Sequence, residues 1–125
     1  MVGNVQCVVL DCPDAVALAR FYQSILGGEV NRPDPRWRVR DTWATLHTAS
    51  GLVLAFQGVD EYVPPRWPDP ARPQHLHLDI DVPDLDQAQR QVLRLGAALL
   101  DDGDGIRDWR VFADPAGHPF CLIRN

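Results

Sequence analysis

Leu10-Asp11-Cys12-Pro13-Asp14-Ala15 and Ile80-Asp81-Val82-Pro83-Asp84-Leu85 are two versions of one segment, and this repetition decides the fold. Asp14 and Asp84 are 70 positions apart. At this offset the apolar residues that follow recur at the i, i+3, i+7, i+10 spacing of one helix face. They are Ala15, Leu18, Tyr22 and Ile25, then Leu85, Ala88, Val92 and Leu95. A repeat of this length indicates two copies of one supersecondary unit, neither of which buries its apolar face alone. We therefore expect functional side chains where the two copies meet.

Each copy predicts a strand, a helix and then two or three further strands. Asp14 and Asp84 are good helix N-caps, and glycines end both helices, which we predict near 14–26 and 84–96. The predicted strands are 5–12, 43–48 and 52–57, then 74–82, 109–113 and 119–124. Asp114-Pro115-Ala116-Gly117 predicts a β-turn between the last two strands, because proline presets one dihedral angle and glycine relieves steric strain.

The length of 125 residues suits one domain, which we place at 1–125. Module one covers about 1–58 and module two about 75–125. The connection at 59–74 holds five of the chain's 11 prolines, a density that no sheet ladder tolerates. We expect it to be stiff and extended.

Charge and hydropathy exclude several classes of protein. The net charge of −5 and the lack of a basic run argue against a nucleic-acid partner. No apolar stretch approaches the roughly 20 residues of a membrane span. The first residues carry no export signal, and three cysteines are an odd number for a disulfide scaffold. These features predict a cytoplasmic protein.

Strand polarity predicts a ligand pocket. In 74–82, apolar residues alternate with a polar row that contains His75, His77 and Asp79. At the 70-residue offset Cys7 takes the place of His77, on a more apolar face in the first copy. A partly apolar face with a few polar groups is typical of a small-molecule site.

Two βαβββ modules in one short chain resemble the vicinal oxygen chelate superfamily, which includes glyoxalase I, extradiol dioxygenases, fosfomycin-resistance enzymes and bleomycin resistance proteins. The segments that carry the resemblance are 8–14 with Phe21-Tyr22, 54–57, 65–68, 77–79 and 114–121. The resemblance, closest to small glyoxalase-like proteins, implies an α+β fold. In it, two tandem βαβββ modules form a curved mixed sheet around a cavity, with the helices outside. It also implies a homodimer.

The resemblance also implies positions for metal ligands. Metal-using relatives place His, Glu, His and Glu at four strand positions, which fall here at Cys7, Ala55, His77 and Cys121. Only His77 keeps the usual residue type, and Ala55 has no ligand atom. We therefore expect no cofactor and no ordinary metal tetrad. The alternative is a divalent ion such as Zn²⁺ on Cys7, His77 and Cys121, with an open fourth position. Otherwise both cysteines are small buried apolar residues.

Four more side chains have two interpretations each. His77 is either a general base or a polar anchor for a ligand. Gln57, on the strand face of Ala55, either binds a ligand or faces solvent. Trp67 either pins the proline-rich connection or stacks on an aromatic ligand. His75 is a candidate for the pocket mouth.

His47 and His118 are weaker candidates. His47 closes a strand, and we expect it to be exposed. His118 follows a turn, and we expect it at the surface.

The sequence thus predicts a glyoxalase-like protein that binds a small apolar or aromatic metabolite or drug in a cavity without the usual metal tetrad. The candidate ligand-binding residues are His77, Gln57, Cys7, Cys121, His75 and Trp67. The alternative function is a metal-dependent lyase, isomerase or dioxygenase with an altered Cys/His site.

Overall fold

The structure is a computed structural model that describes residues 1–37 and 40–125. The chain divides into two compact units, Met1–Tyr62 and Val63–Asn125. The proline-rich connection is therefore shared: residues 59–62 belong to the first unit and 63–74 to the second. Within the described residues, each unit contains one α-helix and one four-stranded sheet.

The first unit has the order β1 (Val8–Cys12), α1 (Ala15–Leu26), β2 (Glu29–Val30), β3 (Trp43–His47) and β4 (Val53–Gly58). Its described strands lie in the order β1-β4-β3-β2. The first strand pairs in parallel with the last, with Val8 opposite Leu54. The other pairings are antiparallel. A parallel pair needs a long crossover, and α1 is part of it.

The second unit repeats this plan. Its elements are β5 (Leu78–Val82), α2 (Leu85–Arg94), β6 (Ala98–Asp101), a short 3₁₀ turn (Gly103–Gly105), β7 (Trp109–Ala113) and β8 (Pro119–Arg124). The described strands lie in the order β5-β8-β7-β6, and β5 runs parallel to β8. The predicted α+β fold of two βαβββ modules is confirmed, with one four-stranded sheet in each module.

The N-caps are where the repeat predicts them. A carboxylate oxygen of Asp14 accepts from the backbone N–H of Ala17 at 3.0 Å, and Asp84 accepts from Gln87 at 2.9 Å. Each bond satisfies one N–H of the first helical turn, worth about 1 kcal/mol. Asp114 likewise holds its predicted turn, because its buried side chain accepts from the N–H groups of Ala116 and His118.

Each helix covers one face of its own sheet. In the first unit the ring of Tyr22 on α1 stacks on Phe56 with centroids 5.9 Å apart. In the second unit Arg110 on β7 donates to Gln89 and Asp86 of α2. Side chains alternate along a strand, so the intervening residues lie on the opposite side. We call this opposite side the helix-free face of each sheet.

The first strand of each module is shorter than predicted. β5 begins at Leu78 rather than at residue 74, and Leu76 is 55% exposed instead of joining the apolar row. One physical reason lies in its partner, because β8 begins at Pro119, which has no N–H to extend the ladder. β1 likewise begins at Val8 rather than at residue 5. Cys7 and His77 therefore immediately precede their strands.

Gly28 allows the connection between α1 and β2 to pass close to the backbone of β3. A side chain there would overlap the backbone carbonyl oxygen of His47, whereas one on Gly27 would meet nothing within 4 Å. Both glycines have positive φ angles, 93° and 69°. We predict that Gly27→Ala lowers the free energy of unfolding by about 1–3 kcal/mol, because a φ of 69° with a ψ of −164° is a conformation that essentially only glycine adopts. Gly28→Ala should cost clearly more, because β3 must also shift. Urea unfolding of the two variants measures the difference, and equal losses would contradict the close approach.

Candidate functional site

The helix-free face of the second sheet gathers three chemically different side chains. Asp79 on β5 lies directly opposite Cys121 on β8 in the parallel ladder. His77 precedes Asp79 by two residues, which directs both side chains to the same face. We call these three residues the His77–Asp79–Cys121 cluster.

Distances within the cluster are short. Nε2 of His77 lies 3.3 Å from a carboxylate oxygen of Asp79. One ligand atom from each of the three residues lies within 4.8 Å of the other two. The side chains of His77 and Asp79 are 41% and 53% exposed, and Cys121 is half-buried. The cluster is therefore assembled within the fold and open to a molecule from solution.

Burial raises the pKa of the Cys121 thiol to about 11, with the negative charge of Asp79 and a hydrogen bond to it as further causes. Arg107 acts in the opposite direction. The Arg107 guanidinium lies 3.8 Å from the centre of the Trp109 ring and is also paired with Asp101. At neutral pH Cys121 is thus a protonated thiol beside a carboxylate, which makes it a poor nucleophile.

The sequence predicted two members of the cluster as site residues and missed the third. Asp79 was recognised only as part of the polar row beside His77. Its shared strand parity with His77 was visible in the sequence, but its position opposite Cys121 depends on the register between β5 and β8. His75 is exposed and Trp67 is half-buried in the proline-rich segment. Their predicted roles at a pocket mouth and in stacking or pinning stay predictions.

The first unit holds the other predicted site residues. Cys7 is half-buried, and burial raises the pKa of its thiol. Ala55 is fully buried, whereas Gln57 is exposed at its position opposite Trp43. Their convergence with His77 in one cavity stays a prediction. Cys12 has the opposite strand parity to Cys7 and is buried, with its thiol donating to the Gln57 carbonyl oxygen at 3.5 Å.

The expectation for His47 was wrong. His47 is only 5% exposed, because Trp37 packs edge-on against it with ring centroids 5.9 Å apart. The sequence does not predict this contact, since the two residues are joined only by tertiary packing. His118 is half-buried, and its backbone N–H contributes to the Asp114 turn.

The ligand atoms of the His77–Asp79–Cys121 cluster suit a divalent ion better than the residues at the four metal-ligand positions implied by the resemblance. Ala55 supplies no ligand atom, but Asp79 supplies a carboxylate beside His77 and Cys121. An imidazole, a carboxylate and a thiolate are all ligands of Zn²⁺, and three protein ligands with one open position are typical of catalytic zinc sites. The residues of the cluster therefore fit such an ion in type and number.

A polar cavity of about 360 Å³ lies elsewhere in the second unit, beside the start of α2. Three arginines line it: Arg107, Arg110 and Arg124. Each of the three is paired with a carboxylate of the chain. Because these charges are neutralised internally, the cavity is a weaker candidate than the cluster.

Comparisons with known proteins agree with the fold. The profile of a family described as "Glyoxalase-like domain" matches residues 7–123. No curated protein matches the chain. A glyoxalase/bleomycin resistance protein/dioxygenase family enzyme from Burkholderia phytofirmans PsJN has 17% identity and a TM-score of 0.71, with 98% of each chain covered. A glyoxalase-related enzyme from Fulvimarina pelagi has 21% identity and a TM-score of 0.66, covering 99% of this chain and 89% of its own.

A third similar structure contains ligands. It is the E126Q mutant of the fosfomycin resistance protein FosX from Listeria monocytogenes, complexed with Mn(II) and 1S,2S-dihydroxypropylphosphonic acid. It has 17% identity and a TM-score of 0.67, covering 100% of this chain and 94% of its own. At these identities the three structures show a shared fold.

Neither helix of the described residues has the length and apolar character needed to cross a bilayer.

The electrostatic contact between Asp79 and Cys121 can be tested by thiol reactivity. Asp79→Asn removes the charge that helps to raise the Cys121 pKa, so more thiolate is present at any pH below about 11. We predict that alkylation of Cys121 by iodoacetamide at pH 8.5 becomes roughly 3- to 10-fold faster, because one neighbouring charge moves a pKa by about one unit. Mass spectrometry of the Cys121 peptide measures the rate.

The matched control is Asp81→Asn, which removes the same charge two pairs further along the ladder, opposite Ile123. It should change the rate much less. Equal rates in Asp79→Asn and wild-type protein would contradict the contact.

Proposed function

Because the chain belongs to the glyoxalase-like domain family, within the vicinal oxygen chelate superfamily, we propose that it binds a small organic molecule on the helix-free face of its second sheet. The observation that carries this proposal is the His77–Asp79–Cys121 cluster. It is a compact polar group that is open to solvent on a face that also carries Val111, Trp109 and Ile123.

His77 is the anchor in this proposal. Its Nε2 lies 3.3 Å from a carboxylate oxygen of Asp79, so a proton on Nε2 would face that oxygen and leave Nδ1 as the acceptor. Nδ1 then accepts a hydrogen bond from a hydroxyl or N–H group of the ligand. The Asp79 carboxylate beside Nε2 favours one orientation of the imidazole, so that less side-chain entropy is lost on binding.

The surroundings supply apolar contacts for the rest of the ligand. Val111 is opposite Cys121 and 4% exposed, and Trp109 lies two pairs away, opposite Ile123. Trp109 is 38% exposed as a residue, and the Arg107 guanidinium lies over its ring. An apolar or aromatic metabolite or drug with one polar end matches this distribution of side chains.

His77→Ala tests the anchor. A net hydrogen bond is worth about 1 kcal/mol, or up to about 3 kcal/mol when charged. Loss of His77 should therefore weaken ligand binding by roughly 5- to 100-fold. The ligand is first identified by native mass spectrometry of the purified protein, and its dissociation constant is then measured by calorimetry.

His75→Ala is the matched control, because His75 is an exposed histidine two residues earlier in the chain. It should bind the ligand as wild-type protein does. Unchanged affinity of His77→Ala together with a large fall in melting temperature would instead mean that His77 has a structural role.

A second candidate function is a metal-dependent lyase, isomerase or dioxygenase, and the spacing of the cluster favours it. Zinc ligands in a tetrahedral site lie roughly 3.3–3.8 Å apart, given bond lengths of about 2.0–2.3 Å. His77 and Asp79 already meet this spacing at 3.3 Å, and the whole cluster needs a contraction of about 1 Å from its 4.8 Å limit. A bound divalent ion would supply a Lewis acid at its open position.

Metal binding has a definite pH dependence in this candidate. The Cys121 thiol, with its pKa of about 11, must lose its proton to become a ligand. Affinity should therefore increase as the pH rises. His77, Asp79 and Cys121 would hold the ion, whereas Cys7 would not contribute.

Zinc titration against a competing chelator tests this set of ligands. We predict that His77→Ala, Asp79→Asn and Cys121→Ser each weaken Zn²⁺ binding by at least about 10-fold, the usual effect of losing a ligand or its support. Cys7→Ser should bind as wild-type protein does. Loss of binding in Cys7→Ser with retention in Asp79→Asn would favour the set Cys7, His77 and Cys121 instead.

The homodimer implied by the resemblance is part of the proposal, as is the cytoplasmic location. Sedimentation of the purified protein over a range of concentrations reads out the oligomeric state directly.

A further inference from the structure

The helix-free face of the first sheet contains a second group of polar side chains, and these are buried. Trp37 is 8% exposed, Thr45 is 0% exposed and His47 is 5% exposed. We call them the Trp37–Thr45–His47 cluster. It shares no residue with the cluster of the second unit.

Each member carries a polar atom without a partner. Trp37 Nε1, Thr45 Oγ1 and His47 Nε2 have no hydrogen-bond partner among the described residues. A buried polar group left in this state costs about 1–3 kcal/mol. Valine in place of threonine would avoid the cost at Thr45 with the same shape. Three such atoms in one cluster point to a bound molecule that completes their hydrogen bonds.

The backbone holds the cluster in place. Thr45 and His47 are two residues apart on β3, so their side chains project on the same side about 7 Å apart. Thr45 is tied to Asn31 by two bonds of 2.9 Å, one in each direction. The Trp37 ring stands at 86° to the His47 ring. A bound molecule would therefore meet polar atoms whose positions are already set.

From this arrangement we infer that Trp37, Thr45 and His47 form a binding site for a small neutral molecule that bears a carbonyl oxygen. The indole N–H only donates, so the ligand must offer an acceptor to it. The Thr45 hydroxyl and the His47 imidazole can each donate or accept. An amide group supplies an acceptor and a donor together, and it matches all three side chains.

The charges nearby favour a neutral ligand. Asp34 interacts electrostatically with His47, and both oxygens of its carboxylate accept hydrogen bonds from the Arg36 guanidinium. The positive charge of Arg36 is thus already engaged. Within the described residues of the cluster and the neighbouring Asp34–Arg36 pair, a carboxylate ligand would lose its hydration without gaining an unpaired arginine in return, which is unfavourable.

Acetamide and acetate provide a matched pair of probes, because they have nearly the same shape and differ in charge. We expect acetamide to shift the Trp37 indole N–H resonance saturably, with assignment by Trp37→Phe. Acetate should bind at least about 5-fold more weakly. Ligand-observed saturation transfer gives the dissociation constants for wild-type protein and for all variants.

Thr45→Val distinguishes a ligand-binding role of the cluster from a purely structural role. It removes the hydroxyl but keeps the shape, so acetamide binding should weaken about 5-fold, the effect of one hydrogen bond of about 1 kcal/mol. The melting temperature should stay the same or rise, since an unpartnered hydroxyl has been removed. Thr42→Val, at an exposed threonine three residues earlier, should change neither quantity.

Three results would overturn the inference. They are no saturable shift of the Trp37 resonance with acetamide, wild-type affinity in Thr45→Val, and a fall of several degrees in the melting temperature of that variant. Tighter binding of acetate than of acetamide would overturn the neutral class of ligand. None of these results bears on His77, whose variants are tested separately.

Discussion

The parallel pairing of the first and last strands within each module is the constraint on which the rest of the structure depends. β1 pairs with β4, and β5 pairs with β8. A parallel pair cannot be closed by a hairpin, so the intervening chain must cross over, and it does so through the helix and the remaining strands. The pairing places Asp79 beside Cys121 although 42 positions separate them in the chain.

The same pairing gives the two modules equivalent positions with different chemistry. Val9 lies opposite Ala55 in the first module, where Asp79 lies opposite Cys121 in the second. The apolar pair offers no ligand atom, whereas the polar pair completes a cluster with His77. The resemblance implies a carboxylate at the positions of Ala55 and Cys121, and neither residue has one. The second module instead has the Asp79 carboxylate on β5, the strand beside Cys121.

The polar clusters of the two modules also differ in burial and in hydrogen bonding. The His77–Asp79–Cys121 cluster is largely exposed, and its members contact one another. The Trp37–Thr45–His47 cluster is almost fully buried, and its polar atoms have no partners among the described residues. In the absence of a ligand, an exposed cluster costs the fold little free energy, because water solvates its polar atoms. A buried cluster destabilises the fold until its hydrogen bonds are made, so its retention requires a stronger reason.

The sequence by itself determined the repeat, the α+β class and the ends of the helices. These features depend on local chemistry: the apolar spacing of a helix face, the caps at Asp14 and Asp84, and the turn at Asp114. The tertiary structure alone decided that Asp79 faces Cys121 and that Trp37 buries His47. Alternation along one strand shows which residues share a face, but it does not specify the register between strands that are distant in the chain. Both contacts depend on packing between such segments, and no local pattern encodes that packing.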